Sequence, residues 1–61
     1  MNGKQIIKIL ESEGWRVIRV NGSHHRMAKD SARTTVPVHG ARDVHPKTLA
    51  QIEKDTGVRL K

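Results

Sequence analysis

Gly22-Ser23-His24-His25 is the stretch of this 61-residue chain best suited to chemistry. An imidazole titrates near neutrality, with an unperturbed pKa of about 6.5, so it can take up or give away a proton where few other side chains can. Gly22 opens a backbone conformation closed to other residues, and Ser23 can hydrogen-bond locally. A tight turn there delivers His24 to the start of the next segment. The plain alternative is a polar hairpin turn whose histidines are merely solvated.

The elements that must hold this turn can be read from the flanking pattern. Asn2 can cap a helix to about Glu13, with Ile6, Ile9 and Leu10 at helical spacing, Ile7 widening the stripe, and Lys4, Lys8, Glu11 and Ser12 opposite. Gly14 sits where a left-handed cap would end it. Trp15 to Val20 has the β-branched and aromatic content of a strand, but Trp15 and Val17 alternate with Ile18 and Val20. Either that strand is buried on both faces near one end, or a bulge switches its phase. Asn21-Gly22 is the hairpin signal, which makes His24 to about Lys29 the returning strand. Lys29 to Ala32 reads as a second turn and Arg33 to Val38 as a third strand, with Thr34, Val36 and Val38 on one face and Thr35, Pro37 and His39 on the other. If Met27, Val36 and Val38 face the core, period two sends His25 inward and His24 and Arg26 to the open face. Pro37 cannot donate to a ladder, so the third strand is at an edge or its Pro37 amide position points outward. His39 to Asp43 is an exposed connection. Pro46 opens a second helix reaching about Thr56, with Leu49 and Ile52 as apolar contacts, Gly57 as its stop and Val58 folding back. The tail 59–61 is too short to assign. The order α-β-β-β-α predicts an α+β fold, a three-stranded antiparallel sheet with two helices on one face and the other face free.

Size and composition narrow the chemistry. The length suits a single domain, 1–61, near the lower limit for independent folding. There is no cysteine, hence no disulfide or thiolate zinc site, and the chain suits a reducing cytoplasm. Nothing resembles a signal peptide or a membrane span. Lys and Arg number 12 against 6 Asp and Glu, a formal charge of +6, for which nucleic acid is the natural counter-charge. Trp15 is the only aromatic residue, so bases cannot be read by stacking, and recognition must run through backbone and shape. A guanidinium fork fits phosphate oxygens, which makes Arg26 on the open face, and Arg19 if its phase allows, candidate phosphate clamps; ordinary surface charge is the alternative. The four histidines, His24, His25, His39 and His45, do not suggest a metal. Adjacent ligands are awkward for one tetrahedral ion, and no acidic residue stands at a recognised spacing. No cofactor is expected.

Gly14-Trp15, Arg19, Gly22-Ser23-His24, Val36-Pro37 followed by His39, and Thr48-Leu49 together resemble the HicA (YcfA-like) toxins of bacterial toxin–antitoxin systems, in the right order over essentially the whole chain. The resemblance implies a fold like the double-stranded RNA-binding domain, and a ribosome-independent endoribonuclease that cuts mRNA until a HicB-type antitoxin covers it. It also implies that His24 is the catalytic residue, while His25 occupies a variable position. The expected substrate-binding set around His24 is Arg26, Arg19, Ser23, Gly22 and Lys29. The short segment from Lys29 to Thr34 departs from longer relatives and leaves substrate preference open. A second acid/base group is missing from this reading, and His39 is the only open-face candidate. Two other functions compete. A passive RNA-binding module of the same fold would use His24 as one more contact to a ribose hydroxyl. A DNA-binding regulator is disfavoured, because Lys47 and Lys54 on the last helix are balanced by Glu53 and Asp55.

Overall fold

In the computed structural model, which describes residues 1–60, the elements run α1 (Gly3–Ser12), β1 (Arg16–Asn21), β2 (His24–Lys29), β3 (Ala32–Pro37) and α2 (Pro46–Thr56). The strands form one antiparallel sheet in the order β1-β2-β3, so β2 is central and Pro37 lies on an edge strand, as its missing N–H requires. Ile6 and Leu10 from α1 and Ile52 from α2 share one buried cluster with Met27, Val36 and Trp15. Both helices therefore cover the same face, and the α+β arrangement expected from the sequence is the one observed.

Local chemistry accounts for the helix ends. Asn2 caps α1 through its side-chain oxygen, which accepts the Gln5 N–H at 2.9 Å, while Gln5 returns the bond to the Asn2 N–H at 2.8 Å. Gly3 is buried, and a Cβ there would overlap the Pro37 carbonyl oxygen, so only glycine lets α1 start against the end of β3. Pro46 occupies the first turn of α2, and the helix ends at Gly57. Thr34 is fully buried on the helix side of β3 and donates its hydroxyl to Asp55 Oδ2 at 3.1 Å, which satisfies a polar group that burial would otherwise penalise. The tail left unassigned from sequence completes the core. Leu60 is buried, and its N–H donates to Glu53 Oε2 at 2.7 Å.

A bulge resolves the phase of β1. Val17 pairs with Met27 and Arg19 with Arg26, so Ile18 is an extra residue in the ladder. Val17 stays on the core side, whereas Arg19 and Asn21 fall in line with Arg26 and His24 on the open side. The hairpin differs by one residue from the Asn21-Gly22 signal. Asn21 is still paired, with His24, and the two-residue loop is Gly22-Ser23. Gly22 has φ +60°, and among the described residues Asp30 is the only positive-φ non-glycine, so Ser23 has negative φ, the pattern of a type II′ turn with glycine first. The third strand likewise begins and ends one residue earlier than expected; the Val38 N–H then donates to the Ser23 carbonyl at 2.7 Å.

After β3 the chain crosses beside the open end of the sheet. The Arg42 N–H donates to the His39 carbonyl at 3.0 Å, and the Val44 N–H to the Met1 carbonyl at 2.8 Å. An isolated bridge between Asn2 and Asp43 adds a second tie. These bonds hold segment 39–45 against the start of α1. No described helix is long and apolar enough to cross a membrane.

Candidate functional site

Alternation and register generate the site. On the uncovered face, one cross-strand row joins Asn21, His24 and Pro37, and the next joins Arg19, Arg26 and Thr35. Side chains two residues apart on a strand stand about 7 Å from each other, so His24 and the two arginines border one region. A groove lined by Arg19, Asn21, His24, Arg26 and Thr35 lies there. Arg26 is braced by a 2.9 Å hydrogen bond from Nη1 to the Thr35 hydroxyl. Four further N–H donors of its guanidinium remain. His24 is exposed.

The site is electrostatically one-sided. Among the described residues the single ion pair joins the Met1 amine to Asp43, at 3.1 Å. Arg19 and Arg26 therefore carry charge that no carboxylate neutralises, which suits an anionic ligand. A wider depression of about 470 Å³ adjoins this groove on the side of β3 and shares His24 and Thr35 with it. It runs beneath segment 39–45 to the beginning of α2, and its walls include His39, Arg42, His45 and Thr48.

The sequence-expected residues divide clearly. His24, Arg26 and Arg19 come together, with Gly22 and Ser23 forming the turn behind them. His25 goes to the covered side of the sheet, between Val20 and Val36, where it is half-buried with Nδ1 3.4 Å from the Ser23 carbonyl oxygen. Lys29 does not join the group. It closes the other end of β2, opposite Ala32, and its amine donates to the Glu13 carbonyl at 2.7 Å. Odd numbering puts it in phase with His25 and Met27 rather than with His24 and Arg26. Lys29, expected in the substrate-binding set, thus stands apart from His24 and Arg26.

His39 lines the same depression as His24, and two residues not singled out as neighbours, Arg42 and His45, join it. Only one signal in the sequence bore on this. His45-Pro46 reads as the entry to a helix, but no periodicity tells which part of the sheet that entry lies against. No three His, Cys, Asp or Glu side chains among the described residues are grouped so that they could hold a metal ion.

With this geometry in hand, comparison with known proteins is direct. A family model described as the HicA toxin of bacterial toxin–antitoxin matches residues 3–58. No curated protein matches the chain.

Proposed function

The chain belongs to the HicA toxin family of bacterial toxin–antitoxin systems, and from that premise we propose that it is an endoribonuclease that cuts mRNA without the ribosome, with His24 moving the proton. The observation that carries the reading is the exposure of His24 on the uncovered face, one row from two unneutralised arginines. In the proposed reaction His24 takes the proton of a ribose 2′-hydroxyl. The freed oxygen attacks the adjacent phosphorus, the bond to the 5′-oxygen of the next nucleotide breaks, and that oxygen leaves with a proton drawn from solvent water. The products are a 2′,3′-cyclic phosphate and a 5′-hydroxyl end. Negative charge grows on the non-bridging oxygens as the bond forms. Arg19 and Arg26 meet it with guanidinium N–H donors that need little rearrangement, because the sheet has already aligned them.

Removing the base tests this. His24→Ala takes away an exposed side chain and keeps its strand pairing, so the variant folds and binds RNA while cleavage of a defined mRNA falls by about 10²- to 10⁴-fold. Equal cutting by parent and variant sinks the assignment. A substrate with deoxyribose at the scissile position should resist both proteins, and cutting of that substrate would mean attack by water. Activity is expected to persist in a strong chelator. RNA retarded on a gel but never shortened would make the chain a binding module instead.

A toxin of this kind acts where mRNA is, in the cytoplasm, and needs restraint. An acidic HicB-type antitoxin suits the basic open face. Covering that face would exclude RNA from His24, and the association should slow as salt rises.

A further inference from the structure

The nuclease reading leaves the depression between His24 and α2 without a role. Its volume, about 470 Å³, falls in the usual range for small-ligand sites. Beside the apolar Pro37 and Val44, its walls carry the donor groups of His24, His39, Arg42, His45 and Thr48. The one carboxylate there, Asp43, already engages the Met1 amine through Oδ1. A phosphodiester is the ligand chemistry that such walls suit.

His45 has a further property, which follows from its place before α2. Its Nδ1 accepts the Lys47 backbone N–H at 3.1 Å. A backbone N–H can only donate, so Nδ1 must offer a lone pair, and the single proton of the ring then sits on Nε2. The capping bond thus gives the ring a fixed tautomer whose Nε2–H is a donor of set direction.

We propose that His45 is a substrate-contacting residue, whose Nε2–H hydrogen-bonds a non-bridging oxygen of the phosphodiester held beside His24. The inference rests on the nuclease reading for its consequence in turnover, and on the cap and the shared depression for its chemistry. The arginines supply charge from the sheet. His45 supplies an oriented N–H donor from the helical side. The scissile phosphate is then gripped from two elements far apart in sequence.

The test separates capping from contact. Asparagine is an excellent helix cap but carries no donor that reaches where Nε2 does. His45→Asn should therefore keep the parental melting temperature and lose about tenfold to hundredfold in kcat with little change in KM. His45→Ala should lose kcat to the same extent and melt lower as well. An Asn variant that cuts at the parental rate overturns the proposal. A second readout does not need turnover. When an oligonucleotide with deoxyribose at the scissile position is titrated into the parent protein, the His45 Nε2–H resonance should shift. An unmoved His45 signal beside a shifted His24 signal overturns the proposal. A parent that cleaves no RNA, yet shows the His45 shift, defeats the nuclease reading and supports this one.

Discussion

The two hairpin turns of the sheet are built alike and used differently. Each is a two-residue loop whose first member has positive φ, Gly22 at +60° and Asp30 at +53°. Each is flanked by basic side chains. Around Asp30-Ser31 those cations are spent on the backbone: Lys29 Nζ holds the Glu13 carbonyl, and Arg33 Nη1 holds the carbonyls of Asp30 at 2.9 Å and Ala32 at 2.8 Å. Around Gly22-Ser23 the cations are held open to the exterior. Arg26 leans on a neutral hydroxyl, and Arg19 stands across from it with no acidic partner among the described residues. A guanidinium or ammonium that satisfies carbonyls ties a turn to its neighbours. One whose N–H donors stay free on an exposed face keeps them for a ligand. The contrast separates a closing end of the molecule from a working end, although composition is similar at both.

Mutation of the working end should give the largest effects. Replacing Arg19 and Arg26 together by glutamine is expected to lower kcat/KM for RNA roughly 100-fold with little loss of stability, since both are exposed; steady-state cleavage and thermal melting measure the two quantities. Retained cleavage would remove the distinction between the two ends. Gly22→Ala comes next. Open space surrounds the position, so the penalty comes only from forcing an L-residue to φ +60°, about 1–2 kcal/mol in denaturant unfolding. A several-fold drop in cleavage should accompany it as His24 is displaced. The smallest effect belongs to the closing end. Lys29→Met removes one exposed hydrogen bond to Glu13 and should cost under about 1 kcal/mol while cleavage stays at the parental level. A Lys29 variant that folds normally but cuts poorly would return this residue to the site and erase the asymmetry.

Gly3 shows how a site can depend on a residue remote from its chemistry. Its missing Cβ lets α1 abut the Pro37 carbonyl, and Pro37 shares a row with His24. The same helix start is linked to the loop lining the depression through the pairing of Asn2 with Asp43. Core packing and site geometry are thus joined through one close contact. Sequence marks that glycine only as an early residue of a helix, where it would ordinarily weaken the element.

Much of the architecture was legible because short-range physics determines it. The Asn2 cap, the apolar stripe of α1, Pro46 at the start of α2 and Gly57 at its end are local signals, and they operate locally in the folded chain. The alternation along β2 separated His24 from His25 correctly, since period two admits no other arrangement once Met27 is inside. Alternation could not settle β1. Its two possible phases differ by the single extra residue Ile18, and which residue goes unpaired is decided by the partner strand. The distance of Lys29 from His24 was not legible for a related reason. Position on a basic strand says nothing about which carbonyl a flexible amine will reach, and the Glu13 carbonyl comes from an element 16 residues away.

By itself, then, the sequence determined the element order, the inward and outward faces of β2 and β3, and a positive charge in search of an anion, all consequences of residue type at fixed backbone periods. Only the tertiary structure decided that Arg19 stands with Arg26, that Lys29 holds the chain end of α1, and that His39 and His45 border the depression containing His24. Those outcomes depend on contacts between segments distant along the chain, which arise when the helices settle on the sheet and for which no local pattern carries a signal.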